Sequence, residues 1–428
     1  MRAIINLKQQ TPMWHFQTDT PGCVLRASEV KPKLDRFLLT KEKPNASWFV
    51  KGRTDALDYK LWFVAPAKEP MILKGEYPLF FGNMGEQQQK KTLIFYENKI
   101  EMHLFSLNDT LIEKIKKHLF EFFATHSFGT RQDKGFGFFF PMEIDGEKGD
   151  FNQPFGAHYQ FEINWKDSSM KYVETFKAIH YFHKLIRSGI NETNKKKETC
   201  YYKSLMYFYA KDKGEQWDKP TIRHHFQLYT KVYQSICGQL KYPYKKYIRK
   251  GSQQPDVKIY EVRADMKKEF AEVSSKSKQL FRDALGLASE QKWKAYEDTI
   301  SIKAQNPNFV RFKSPIMYRP VILGNKCHVY IHWDESSLAD LKKQRFTICH
   351  KARQRPDVKY RQGKIAPLNN MQVYGDFSLE DYFDFILRRY HNGEITHSGD
   401  YENPYIKEIF SKESFNFSEV TNSNPTKL

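Results

Sequence analysis

The stretch "SFGTRQDKGFGFFFP", Ser127 to Pro141, decides how this chain is read. Gly129, Gly135 and Gly137 bracket a turn that carries Arg131 and Lys134, and the turn runs straight into consecutive phenylalanines. Glycine is costly in ordered backbone unless a positive φ or a close approach requires it. Two demands meet that condition. One is a tight return into a buried strand. The other is a backbone open to a phosphate, with Arg131 and Lys134 supplying charge.

Outward from the turn, "LNDTLIEKIKKHLFEFFATHS" places Leu111, Ile115, Leu119, Phe122 and Phe123 on one face of a helix. "GFGFFFPME" reads as a buried strand and "AHYQFEINW" as an alternating one. Upstream, "AIINLKQQ" opens as a strand ending near Pro12. "LRASEVKPKLDRFLLTK" follows as a helix with Ser28 as its cap and Leu34, Phe37 and Leu38 facing inward. "TLIFYENKIEMHLFS" reads as strands around a turn at Glu97-Asn98. The order is strand, helix, strands, helix, glycine turn, strand, which predicts a ferredoxin-like, RRM-type β-α-β-β-α-β unit. A sheet of this kind beside such a turn suits single-stranded RNA.

The later chain is more helical. "YVETFKAIHYFHKLIRSG", "FAEVSSKSKQLFRDALGL" and "SLEDYFDFILRRYH" read as helices, and "NPNFVRFKSPIMYRPVILGNKCHVYIHW" as strands. The predicted fold class is α+β, with two ferredoxin-like modules in tandem and a helical section between them or inserted in the second. The predicted domains are 1–165, 166–415 and a disordered tail over 416–428.

The chain has 428 residues, with 69 lysines and arginines against 50 acidic residues, a formal net charge of +19. That excess fits either a polyanionic partner or a solvated lysine surface. No apolar run is long enough to span a bilayer, and the first residues lack a signal-peptide core. Five scattered cysteines in no paired spacing argue against a disulfide framework and fit a reducing cytoplasm.

Four stretches together resemble the RAMP superfamily of CRISPR-associated proteins. "TPMWHFQ" with "LRASEVKPKLDRFL" is similar to the family's first strand and helix start, where Ser28, Val30, Lys31 and Leu34 fit the spacing. "YPLFFGNMG" resembles a Leu-Phe-Gly segment, the opening turn resembles the glycine-rich loop, and "RFKSPIMYRPVILG" resembles a late strand. The combination is most similar to the first subunit of type III-B (Cmr) effector complexes. The resemblance implies two ferredoxin-like folds in one chain, guide RNA held near its 3′ end, possible contact with target RNA, other effector subunits as partners, and no membrane. It also implies guide-RNA backbone near the start of the first helix, and hence near Arg26, Ser28, Lys31 and Lys33. Around the glycine turn the implied RNA contacts are Gly129, Arg131, Lys134, Gly135, Phe136 and Gly137.

"LKYPYKKYIRKG" adds Lys245, Lys246 and Arg249 among tyrosines, fitting either RNA contact or a solvated loop. "ICHKARQRPDVKYRQGK", with Arg353, Arg355 and Arg361, has the same two readings. Neither a cofactor nor a metal is predicted, because Cys327, His328 and His332 in a strand do not converge as zinc ligands. The alternative function is a RAMP-type endoribonuclease working through His15, Asp19 or His126. The expectation is a non-catalytic RNA-binding subunit.

Overall fold

The computed structural model describes residues 1–14, 25–64, 71–73, 93–148, 156–165, 167–193, 199–226, 279–287, 290–293, 298–309, 312–351, 366–395, 410 and 415–420. In chain order the elements begin with β1 (Arg2–Gln9), β2 (Met13–Trp14), α1 (Ala27–Lys41), β3 (Lys60–Val64), β4 (Met71–Leu73), β5 (Leu93–Phe95) and β6 (Ile100–Phe105). There follow α2 (Asp109–Thr125), β7 (Phe139–Ile144), β8 (Glu147–Lys148), β9 (Tyr159–Asn164), α3 (Lys171–Arg187), β10 (Ile190–Thr193), β11 (Thr199–Tyr202), α4 (Leu205–Asp212) and α5 (Asp218–His225). The remainder comprises β12 (Gln279–Leu280), β13 (Glu290–Trp293), β14 (Asp298–Ala304), β15 (Ile316–Leu323), β16 (Lys326–Trp333) and α6 (Glu335–Lys342). It ends with β17 (Phe346–Lys351), β18 (Leu368–Val373), α7 (Leu379–His391) and β19 (Phe415–Glu419). The first of two compact units takes Met1–Tyr181, Ile316–His332 and Glu408–Leu428, and the second takes Phe182–Pro315 and Trp333–Lys407.

The first unit is built on a sheet of order β3-β6-β1-β7-β8 with every pairing antiparallel. Strand alternation sorts its residues between the two faces. Ala3, Ile5 and Leu7 stand opposite Leu104, Met102 and Ile100 on the buried face. Helices α1 and α2 contact this sheet. On α2, Asn108 Oδ1 accepts from the Leu111 N–H, and Leu111, Ile112, Ile115, Leu119, Phe122 and Phe123 have no exposed surface. Side chains of this size stabilise by about 1.5–3 kcal/mol each on burial.

A second sheet of this unit has the order β15-β16-β9-β19, and a small one has the order β2-β5-β4. Residues 416–419, expected to begin a disordered tail, belong to β19, which pairs with β9. Phe415 and Phe417 alternate with polar residues and are buried, Phe415 beside Phe161 and Phe417 beside Tyr159. The expected boundary at 165/166 also differs from the compact units. Strand β9 draws its partners from residues 326–331 and 415–419, so a cut along the sequence does not separate the units.

In the second unit the sheet order is β12-β18-β17-β14-β13. Tyr209 of α4 packs against Phe377, Tyr382 and Phe385, and its hydroxyl donates to Asp381 Oδ2. The helix expected over "FAEVSSKSKQLFRDALGL" is not formed in residues 279–287. These hold β12 and a single 3-10 turn, Arg282–Leu285, ended by Gly286 at φ +118°.

The glycines of the turn are explained by the fold itself. Gly129, Gly135 and Gly137 have φ of +81°, +87° and +65°. A Cβ at Gly129 would press on the Trp14 carbonyl and Met13, one at Gly135 on Pro320, and one at Gly137 on the carbonyl oxygen of Phe128. Gly137→Ala is therefore expected to cost more than about 2 kcal/mol of stability, combining left-handed strain with a backbone clash. Gly52→Ala, at φ +78° with open space around it, should cost only the strain, about 1 kcal/mol. Urea denaturation of the two variants checks the ordering, and equal losses would contradict it.

Candidate nucleic-acid interface

The site grows from the junction of α1 with the glycine turn. Helix α1 starts at Ala27, so its cap is Arg26 and not Ser28. The Arg26 carbonyl accepts from the N–H groups of Glu29 and Val30, which places the exposed Ser28 inside the first turn. No side chain caps α1, and Glu29 of its first turn instead binds the glycine turn, its Oε1 accepting from the Gly129 N–H at 2.8 Å.

Lys31 and Lys33, expected to face a phosphate, are partly exposed and engaged with partners in the protein itself. Lys31 Nζ lies 2.9 Å from Asp35 Oδ2, donates to the Leu57 carbonyl at 2.7 Å and sits 4.0 Å from the centre of the Tyr59 ring. Lys33 Nζ donates to the Ser127 carbonyl at 3.1 Å and to Gln132 Oε1 at 3.0 Å, and lies over the Phe128 ring. These lysines hold the helix to its neighbours. Each hydrogen bond from such a charged group contributes about 1.5–3 kcal/mol.

A cation the sequence reading did not single out completes the arrangement. Arg319 is 2% exposed. Its Nη2 donates to the Thr125 carbonyl at 2.7 Å, and its Nη1 donates to the carbonyls of Gln132 and Tyr318 at 3.2 and 3.0 Å. Burial lowers its pKa to about 10, with Asp133 opposing the shift, so the guanidinium stays charged at neutral pH. The signal was one arginine in the otherwise apolar run "PIMYRPVIL", since a charge there needs buried partners.

Many backbone donors of the turn are used internally. Phe128 N–H donates to Gly137 O, Thr130 N–H to Trp14 O, Gly137 N–H to Pro12 O and Phe138 N–H to Thr11 Oγ1. Thr11 Oγ1 in turn donates to the Gly135 carbonyl. These N–H groups form no open phosphate cradle. Phe136, expected as an RNA contact, is fully buried and stacks on Phe176 with ring centres 3.8 Å apart, so a base has no access to it. Gly135 and Gly137 are buried as well and act through shape.

Arg26, Arg131 and Lys134 remain partly exposed on this edge. Arg131 is held at φ +60°, and Lys134 Nζ lies 5.6 Å from the Tyr318 ring centre. Arg36, exposed on α1, adds a further charge. Among these cations Arg319 is buried, Lys33, Arg26, Arg131 and Lys134 are partly exposed, and Arg36 is exposed. Lys245, Lys246 and Arg249 lie outside the described residues, as do Arg353, Arg355, Arg361, His15, Asp19 and the "YPLFFGNMG" segment.

His126 is described. It stacks on Phe122, and its Nδ1 is 2.9 Å from the Phe122 carbonyl. Burial lowers its pKa to about 4, and the nearby charges of Arg319, Lys33 and Arg36 act in the same direction. Among the described residues no three His, Cys, Asp or Glu side chains group to hold a metal ion. Cys327, His328 and His332 are all buried, and burial pushes the Cys327 thiol up to about 12 and His332 down to about 3.

Comparison with known proteins identifies the family. The family model for the Cmr1 N-terminal domain matches residues 1–190, and that for the Cmr1 C-terminal domain matches residues 201–411. The structure of Cmr1 from Pyrococcus furiosus in its apo form is a neighbour at 10% identity and TM-score 0.37, over 91% of this chain and 97% of that one. No curated protein matches the chain in sequence.

Two outcomes test the site's internal construction. Arg319→Lys keeps the charge but loses the planar fork, and is expected to cost about 2–4 kcal/mol and to speed amide exchange across residues 125–135. Unchanged stability and exchange would contradict the role given to Arg319. His126 is neutral in the fold down to about pH 4, whereas in the unfolded chain it protonates near 6.5. Its contribution is full above pH 6.5 and is lost as the pH falls toward 4, by about 3 kcal/mol in all. His126→Phe should flatten that decline in urea titrations at stepped pH, and an identical decline in both proteins would contradict it.

Proposed function

Because the chain belongs to the Cmr1 family, we propose that it is a subunit of a type III-B CRISPR effector ribonucleoprotein, holding guide RNA near its 3′ end and bordering target RNA. Family membership over nearly the whole length is the observation that carries this reading. The other effector subunits are its protein partners, and the cytoplasm is its place of work. It acts by positioning RNA and not by cleaving it. The construction around the glycine turn supports this. An internally bonded turn carries Arg131 and Lys134 and is tied through Glu29 to the start of α1, where Arg26 sits and the helix dipole adds partial positive charge.

The two-module reading has support in the strand orders. Taken in chain sequence, β1, β3, β6 and β7 stand in the order second, third, first, fourth across their sheet. Strands β9, β15, β16 and β19 stand in the same order. In each set the first strand is followed by a helix, α1 or α3. The repeated order supports reading each set as a ferredoxin-like β-α-β-β-α-β unit. The second set encloses a long insertion between α3 and β15.

A revised residue assignment follows. Arg26, Ser28, Arg131 and Lys134 contact RNA backbone, while Gly129, Gly135, Gly137 and Phe136 shape the turn and Lys31 and Lys33 brace it. Arg131→Ala and Lys134→Ala should each weaken guide-RNA binding and flatten the slope of log affinity against log salt by about one unit per lost phosphate contact. Their melting temperatures should stay near wild type. Filter binding across a salt series checks this, and unchanged affinity and slope in both variants would remove the turn from the RNA interface.

A further inference from the structure

The face of the first sheet turned away from α1 and α2 carries side chains that the glycine turn does not involve. The strand registers set them out in cross-strand rows. Lys60 stands opposite Phe105, which stands opposite Arg2. In the next row Trp62 stands opposite His103, which stands opposite Ile4. Phe105, Trp62 and Ile4 are 38%, 37% and 37% exposed, uncommon for large apolar side chains on neighbouring strands.

The aromatic groups on this face are pre-positioned. The Trp62 indole lies flat on the His103 imidazole, with ring centres 5.2 Å apart and planes 11° from parallel. Arg2 Nη2 donates to His103 Nδ1 at 2.9 Å, which leaves Nε2–H to donate to Glu101 Oε2 at 3.0 Å. Arg2 also lies 5.8 Å from the Trp62 ring centre. One indole face is therefore held by the protein while the residue as a whole remains substantially exposed.

Charge selects the occupant. Arg2 and Lys60 flank Phe105 on both sides. The carboxylates of this face are already engaged: Glu101 with His103, Glu143 with Asn6 and Lys99, and Asp145 with Lys116 and the Ile4 N–H. The cores of protein–protein interfaces are depleted in charge, whereas cations beside open aromatic faces suit phosphates with unpaired bases.

We propose that this open sheet face binds single-stranded RNA, with Phe105 and Trp62 stacking on unpaired bases while Arg2 and Lys60 reach the adjoining phosphates. The proposal rests on the reading of the chain as an RNA-binding subunit, and it adds a second contact surface to the glycine-turn edge. The stacking needs no particular base, so the surface tolerates any sequence.

The test uses the full chain and a single-stranded 20-nucleotide RNA containing 4-thiouridine. Wild type, Phe105→Leu, Phe105→Tyr and Arg131→Ala/Lys134→Ala are compared for affinity across a salt series and for sites of photocrosslinking. Leucine keeps bulk without a π-face, so Phe105→Leu should lose about fivefold or more in affinity at an unchanged salt slope, and Phe105→Tyr should bind as wild type. Crosslinks should fall on Lys60–Val64 and Ile100–Phe105. Wild-type affinity in Phe105→Leu, or no crosslink to either strand, overturns the sheet-face proposal. If Arg131→Ala/Lys134→Ala is weakened at the same time, the general RNA-binding reading survives it. If Phe105→Leu instead binds RNA normally but fails to join the assembled complex, the face docks a protein and the proposal is wrong. Absence of RNA binding in wild type, both alone and within the assembled complex, overturns both readings together.

Discussion

Two cations, the buried Arg319 and the partly buried Lys33, gather the backbone oxygens of the turn after α2, and the first unit depends on that contact. Arg319 takes the carbonyls of Thr125 and Gln132, and Lys33 takes the carbonyl of Ser127 and the side chain of Gln132. A helix end leaves carbonyls without partners, and a buried one must find donors. Here the donors come from α1 and from β15, nearly two hundred residues further along the chain. The turn can then fold so tightly that Gly129 and Gly137 touch neighbouring backbone, and Phe136 can be driven into the interior against Phe176.

That construction changes the meaning of the positive charge. A net charge of +19 invites the assumption that every lysine near a glycine turn faces a polyanion. The structure shows that some of these cations are committed to building the turn. Lys31, Lys33 and Arg319 have carboxylate or carbonyl partners, and Lys31 and Lys33 also lie over rings, so their loss would be felt first as instability. Arg26, Arg131 and Lys134 sit on the rim of the same edge, where the proposed RNA contact needs them. The internal bonds of the turn hold the backbone that carries Arg131 and Lys134, which under that proposal lowers the ordering cost of binding.

Local signals were legible in the sequence. The α2 stripe, the glycines and the helix α7 beginning after Ser378 follow from spacing and capping alone. The cap of α1 was misplaced by two residues because Ser28 is a good capping residue, yet Glu29 is drawn to the Gly129 N–H by a contact a hundred residues away. The role of Arg319 and the pairing of β19 with β9 were hidden for the same reason, since both depend on long-range partners. Phe415 and Phe417 did show the period of a strand, but a polar, terminal setting concealed it. The burial of Phe136 has no local signal, because aromatic residues beside glycines and cations look the same whether they face a base or another phenylalanine.

The most direct test of the central claim, that the turn is braced from within and offers its outer cations to RNA, is a crosslinking map of the assembled, guide-loaded complex at residue resolution. The account predicts guide-RNA crosslinks at Arg26, Arg131 or Lys134, with none at Lys33, Phe136 or Arg319. Crosslinks confined to the second group, or absent from the whole α1–glycine-turn edge, would contradict it.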